Sequence, residues 1–277
     1  MAELENKYIG TRIDVLDHGH VTLVDFMASD AAICQAARVS YGKGTKSLND
    51  DRALIRYCMR HRHTSPFEQC IFKFHWKLPI FVARQVIRHR TSSVNELSGR
   101  YSELKEEFYI PDFNRMKKQS TSNKQGSDNH LIDDSEIAIK EIEAVLEKAF
   151  KTYQYLLSTG LSREIARTIL PVNIYTEWYW KMDLHNLFHF LKLRMDSHSQ
   201  EETQQYAKAI YQLIQPIVPE ACGAFEDYVL NATTFSAQEM KILRGIIKEE
   251  RNGDLIDKFD YKDMSKREIK EFIQKIK

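Results

Sequence analysis

The nine residues Cys70 to Leu78 (CIFKFHWKL) alternate apolar and polar side chains with period two, and Pro79 follows directly. As a strand, this block sets Ile71 and Lys73 opposite Phe72 and Phe74, so the chain needs a sheet with a face to bury. Pro79 lacks a backbone donor and ends the strand, and a helix begins after it. Most of the remaining apolar pattern is helical. A few strands beside a majority of helix place the chain in the α+β or α/β class, with a central mixed or antiparallel sheet and one compact core.

Around this block the elements follow from local signals. In residues 11 to 30, Ile13 and Val15, then Val21 and Leu23, flank Asp17-His18-Gly19-His20 and predict a β-hairpin. The Ala-rich stretch Asp30 to Val39 predicts a short helix, Gly42 to Asn49 a polar break, and Asp51 to His61 another helix. Residues 115 to 135 are rich in Ser, Asn, Asp and Lys and read as a polar loop, mobile or partly disordered, placed where a lid would be. Apolar residues from Ile137 to Tyr153 recur at helical spacing until Gly160. Ser162 starts a helix that Pro171 ends or kinks, and helices are expected at 180 to 195 and 200 to 214. The chain divides into a main domain, 1 to 231, and a charged helical extension, 232 to 277. The extension carries two capping boxes, Ser236 with Glu239 and Ser265 with Glu268, and reads as two short helices that dock on something.

Composition limits function. Over 277 residues, 40 Lys and Arg balance 39 Asp and Glu, so a chain-wide polyanion-binding surface is excluded and any basic site is local. No apolar run reaches the roughly 18 residues of a membrane span, and Met1 to Gly10 does not resemble a secretory signal. A cytoplasmic protein without membrane or nucleic-acid partners is expected. Cys34, Cys58, Cys70 and Cys222 form no CxxC pair, which predicts reduced thiols.

The local excess of charge lies in Phe81 to Tyr101, FVARQVIRHRTSSVNELSGRY, where Arg84, Arg88, Arg90 and Arg100 face one carboxylate, Glu96. A solvated helix face is the ordinary reading of such a stretch, and a nucleic-acid surface with Tyr101, Phe108 and Tyr109 is another. A helix over Phe81 to His89 would put Arg84, Gln85 and Arg88 on one side, where guanidinium forks suit phosphate or carboxylate. His61 with His63, and His185 with His189, have metal-ligand spacing but no HExxH. Tyr175 to Trp180 reads as core or interface before pocket lining.

Residues 88 to 101, Arg88-His89-Arg90, seven residues, then Ser98-Gly99-Arg100-Tyr101, resemble the signature of flavin-dependent thymidylate synthase. Other stretches resemble further blocks of that family: Ala37-Arg38-Val39-Ser40, Arg62 to Glu68, Ala166-Arg167 with Leu170-Pro171, and Phe190 to Gln200. Together they cover residues 10 to 230.

The resemblance implies an α/β fold and a homotetramer with shared active sites. It implies dTMP synthesis from dUMP, with methylenetetrahydrofolate as carbon donor and FAD carrying hydride from NADPH. Carried over by residue, dUMP meets Gln85, Arg88, Glu96, Ser98, Gly99, Arg100, Arg167 and Arg194. Arg194 would activate the uracil, and Ser98 would act as a hydrogen bonder rather than a nucleophile. FAD meets Ser40, His63, Ser65, Glu68, Arg88, His89, Arg90, Glu96, His189 and His198. No GxGxxG follows a strand, so arginine and histidine replace a Rossmann phosphate loop. The family's Asn-x-Arg appears here as Asp183-Leu184-His185, which removes an amide and a guanidinium. No metal is implied, and the alternative is a non-catalytic flavin and nucleotide-binding relative.

Overall fold

The predicted hairpin forms from β1 (Arg12–Val15) and β2 (Gly19–Met27), paired antiparallel with Ile13 opposite Val21. Its turn depends on a glycine: a Cβ at Gly19 would lie 1.9 Å from the Tyr206 hydroxyl and 2.6 Å from the Val15 carbonyl oxygen. A computed structural model describes residues 7–39, 50–122, 124–249 and 264–276. The expected break at 42–49 and the candidate Ser40 lie outside the described residues.

Helices α1 (Asp30–Arg38) and α2 (Asp51–Arg60) follow, capped by Ser29 and Asp50, whose side chains accept the backbone N–H groups of Ala32 and Ala53. The short α3 (Ser65–Glu68) leads into β3 (Ile71–Pro79), and α4 (Ile80–Val86) starts after Pro79 as expected. This helix stops at Val86, before Arg88, so Arg88 does not share the helical face expected of it.

Beyond α4 come β4 (Ser93–Glu96), β5 (Lys117–Gln119), β6 (Ser127–Leu131), α5 (Ser135–Ser158) and the single turn α6 (Arg163–Ala166). The stretch 115–135 is therefore not a plain loop. β5 and β6 pair antiparallel into a polar ribbon, which needs no apolar face because cross-strand backbone bonds hold it.

A second difference lies at β7 (Tyr175–Asp183), in a region expected to be helical from 180 onward. Trp178, Trp180 and Met182 alternate inward and are at most 2% exposed, while Tyr179 turns outward at 45%. Period two in an aromatic-rich run favours a strand, and the helix α7 (Leu184–Arg194) begins only where Asp183 caps it.

The described strands of the main sheet run in the order β1-β2-β3-β7-β4, every pair antiparallel. One face buries Phe72, Phe74, Trp76, Trp178 and Trp180 against α7, α8 (Glu201–Ile214) and α9 (Pro219–Phe225). A separate small core of Phe108, Leu146, Phe150 and Tyr153 fixes α5. After a π-turn at Glu226–Leu230, the extension forms α10 (Ala237–Glu249) and α11 (Lys266–Ile276). Both capping boxes are made: Ser236 and Ser265 hydroxyls accept from the Glu239 and Glu268 N–H groups, and each carboxylate accepts the serine N–H in return. No described helix is long and apolar enough to cross a membrane.

Candidate active site

Arg194 stands at the last position of α7, where the helix dipole favours a cation. Its Nε donates to His89 Nε2 at 3.0 Å, and Nη2 donates to the Gln85 carbonyl oxygen at 3.2 Å. A guanidinium only donates, so His89 Nε2 is the acceptor and the ring proton belongs on Nδ1. Burial first, then the charges of Arg194 and His189, bring the His89 pKa down to about 4, so the ring is neutral near pH 7. Burial also lowers the Arg194 pKa, and among the described residues its guanidinium donates only to His89 and the Gln85 carbonyl. The Gln85 side chain is fixed from α8: its oxygen accepts from Thr203 Oγ1 at 3.0 Å, and its amide donates to Gln200 Oε1.

A second group forms after β4. Glu96 accepts from Thr176 Oγ1 at 2.8 Å, and the Leu97 N–H bonds to the Glu177 carbonyl on β7. The chain then turns, with the Arg100 N–H donating to Ser98 Oγ at 3.3 Å. Gly99 is buried, and a Cβ there would sit 3.2 Å from Arg167 Cδ and 3.3 Å from Leu104. The missing side chain brings Arg167 close to the turn that carries Arg100. Arg100 itself is exposed and pairs with Glu164 at 2.7 Å.

The third group is a cleft of about 560 Å³ between the end of α2, α7 and the extension. Helix α2 finishes in a Schellman motif: His63 N–H reaches the Cys58 carbonyl at 2.8 Å, and Arg62 N–H reaches Met59 at 3.2 Å. Arg62 occupies the left-handed position with φ of 56°, which ordinarily favours glycine. The motif presents Arg62, His63 and Thr64 to the cleft, facing His185, His189 and Lys192 from α7 and Lys275 from α11. No carboxylate stands among its described lining residues. The cleft joins the Arg194 group through His89, whose ring lies 6.1 Å from that of His189 and packs edge-on against Phe190.

The expected residues are thus partly gathered. Gln85, His89 and Arg194 meet, as do Ser98, Gly99, Arg100 and Arg167, and as do His63, His185 and His189. Arg88 and Arg90 are exposed, without a hydrogen bond or ion pair to a described residue. Ser65 is exposed, Glu68 accepts from Thr64 at 2.9 Å, and exposed His198 pairs with Asp196 at 2.9 Å outside the cleft. Asp183 is committed to the helix, accepting the Asn186 backbone N–H at 3.0 Å and its amide at 2.7 Å, while His185 does face the cleft. Arg62, Lys192 and Lys275 were not anticipated. Arg62 stands beside His63 in the quoted motif, but Lys275 carries no signal that separates it from other lysines of the extension.

The family model for the thymidylate synthase complementing protein matches residues 22–220. A flavin-dependent thymidylate synthase of Thermus thermophilus is 55% identical over 238 residues, covering 86% of this chain and 87% of that one. The enzyme of the same name from Dictyostelium discoideum is 51% identical over 273 residues, covering 96% and 86%. Among solved structures, the UMP/dUMP methylase PolB of Streptomyces cacaoi bound with 5-Br dUMP aligns with a TM-score of 0.70 at 36% identity, covering 78% of this chain and 98% of that one. With a matched model over most of its length and relatives above half identity, the chain belongs to the flavin-dependent thymidylate synthase family.

Proposed function

We propose that this protein makes dTMP by reductive methylation of dUMP at C5, with the uracil at Arg194 and FAD in the adjoining cleft. The observation that carries this reading is their contiguity: a guanidinium held by neutral His89 borders, through His189, a cleft with cationic and imidazole walls. Such walls fit a cofactor with a diphosphate bridge, and Arg62, His63, His185, His189 and Lys192 would hold it. When bound, the flavin supplies hydride received from NADPH, and methylenetetrahydrofolate supplies the carbon.

The chain's own groups do the rest. Arg194 donates to a uracil oxygen and stabilises the negative charge that develops in the ring as C5 attacks an electrophilic carbon. Its orientation is set by acceptors on His89 and Gln85, so little reorganisation is needed when that charge appears. Arg167 and Arg100 neutralise the 5′-phosphate, with Arg100 exchanging Glu164 for the phosphate. Cys34, Cys58, Cys70 and Cys222 are buried free thiols, with burial raising their pKa values, which supports a mechanism without a protein nucleophile and a reducing, cytoplasmic location. Arg88 and Arg90, exposed and without a hydrogen bond or ion pair to a described residue, suit a homotetramer in which a neighbouring subunit's ligand meets them.

The reaction replaces the C5 proton by a methyl group, so tritium on C5 of dUMP must enter water. Release that requires FAD, NADPH and methylenetetrahydrofolate together supports the reading. No release from folded, flavin-loaded protein overturns it. Arg194→Ala should lower turnover by about 10²–10³ while flavin stays bound, the loss typical for one charge-stabilising donor. Near-normal turnover would remove Arg194 from its role.

A further inference from the structure

Helix α11 of the extension is built onto α2 beside the cleft by a dense set of ion pairs. Two arginines of α2 reach across to α11. Arg56 Nε donates to Glu268 Oε1 at 2.7 Å, and Arg60 Nε donates to Glu271 Oε2 at 2.6 Å, with Arg60 Nη1 3.4 Å from Glu268 Oε1. The Tyr228 hydroxyl also donates to Glu268, and His61 Nε2 lies 3.2 Å from Glu271. Glu268 is 5% exposed and the Arg60 side chain 7%, so these two charges are largely buried and matched to one another. Partners at such depth are specific, because a displaced helix would leave buried charges unpaired.

The clamp has a direction. Arg267 of α11 lies over the Tyr57 ring at 4.2 Å, and Tyr57 packs edge-on against His63 at 5.5 Å, so the helix bears on a residue of the cleft wall. At its far end Arg244 of α10 donates through Nε and Nη2 to the Lys275 carbonyl oxygen, at 3.2 and 3.0 Å. That carbonyl belongs to the last turn of α11, which has no intrahelical donor left for it. The backbone of Lys275 is therefore held in place, and the residue lines the cleft with Arg62 and Lys192. Arg60 also lines the cleft, but Glu268 and Glu271 neutralise it, so docking the helix cancels one cation and brings in another. The match to the Dictyostelium discoideum enzyme covers 96% of this chain and so takes in most of the extension.

We propose that the extension is a strap across the flavin cleft, clamped by Glu268 and Glu271 on Arg56 and Arg60, whose Lys275 pairs with the cofactor's phosphates. It sets how tightly FAD is held and takes no part in the chemistry. The inference rests on the flavin reading above.

The test uses the full chain stripped of flavin and titrated by flavin fluorescence with FAD and with riboflavin, which lacks phosphates. Lys275→Met should raise the FAD Kd about tenfold and leave the riboflavin Kd unchanged. The pair Glu268→Gln with Glu271→Gln should raise the FAD Kd to a similar extent and expose the amides of residues 266–276 to hydrogen exchange. Adding Lys275→Met to that pair should cause little further loss, since both act through one contact. Lys192→Met, on the main-domain wall, is the reference. If it weakens FAD and Lys275→Met does not, the strap is refuted while the flavin reading stands. Equal losses for FAD and riboflavin in Lys275→Met also refute it. An unaltered protein that binds no FAD overturns both.

Discussion

Arg62 lines the cleft at the expense of the fold. Its left-handed backbone, φ 56°, costs a non-glycine residue about 1 kcal/mol or more, and the Schellman bonds around it would be kept by glycine. Arg62→Gly should therefore stabilise the protein by about 1 kcal/mol in urea unfolding and at the same time weaken FAD binding several-fold. A variant that gains stability and keeps its FAD affinity would show that the side chain has no part in the cleft. The motif around His63 was readable in the sequence because it is contiguous. The backbone conformation of Arg62 was not, because a left-handed arginine leaves no trace in composition or periodicity. Asp183 is the converse case: its departure from the family pattern is plain in sequence, but only the bonds to Asn186 show that its carboxylate is spent on capping α7.

At the scale of elements, the polar ribbon is tied to the helix that fixes Gln85. Arg115, at the ribbon's base, donates to Glu202 Oε1 at 2.8 Å and pairs with Glu201 at 2.9 Å, and the Tyr109 hydroxyl donates to the same Glu202 oxygen at 2.8 Å. Glu202 is 3% exposed, and burial would raise its pKa, yet the bonds from Arg115 and Tyr109 hold it below the usual carboxylate range. Arg115→Ala leaves that charge buried with the Tyr109 hydroxyl as its remaining described side-chain donor and should cost about 3–5 kcal/mol. Replacing both partners, Arg115→Met with Glu202→Leu, should recover most of the loss, and urea midpoints of the two variants and their parent measure it. An Arg115→Ala protein as stable as its parent would show that the pair is dispensable. Composition alone marks 115–135 as a loop, because a two-stranded ribbon held by backbone bonds needs no apolar pattern. β7 was obscured for the opposite reason: a continuous aromatic run followed directly by a helix blurs where period two gives way to 3.6. The hairpin, β3 and both capping boxes were legible because their signals lie within a few residues.

For the whole molecule, the buried titratable groups set two separate acid windows. Burial, with nearby charges adding to it, brings His20 and His89 from 6.5 to about 4. His20 is faced by Arg12, His75, Lys77 and Glu177, and His89 by Arg194 and His189. A histidine held neutral in the fold binds fewer protons there than in the unfolded chain. Its contribution is complete above pH 6.5 and is lost as pH falls toward 4. The strap behaves differently. Burial would raise the Glu268 pKa, but hydrogen bonds from Tyr228, Ser265 and Arg56 hold it at about 2, and the Arg60 hydrogen bond keeps Glu271 at about 2. Carboxylates held below 4.5 contribute fully above that pH and lose their contribution only as pH falls toward 2. Stability should therefore decline between pH 6.5 and 4 while α11 stays docked. Urea unfolding at steps across that range should give falling midpoints, and replacing His20 and His89 together by Gln should flatten the slope. Hydrogen exchange at pH 5 should show residues 266–276 still protected. A core stable to pH 4.5, with those amides exposed first, would reverse the order and place the acid-sensitive point of the molecule in its strap.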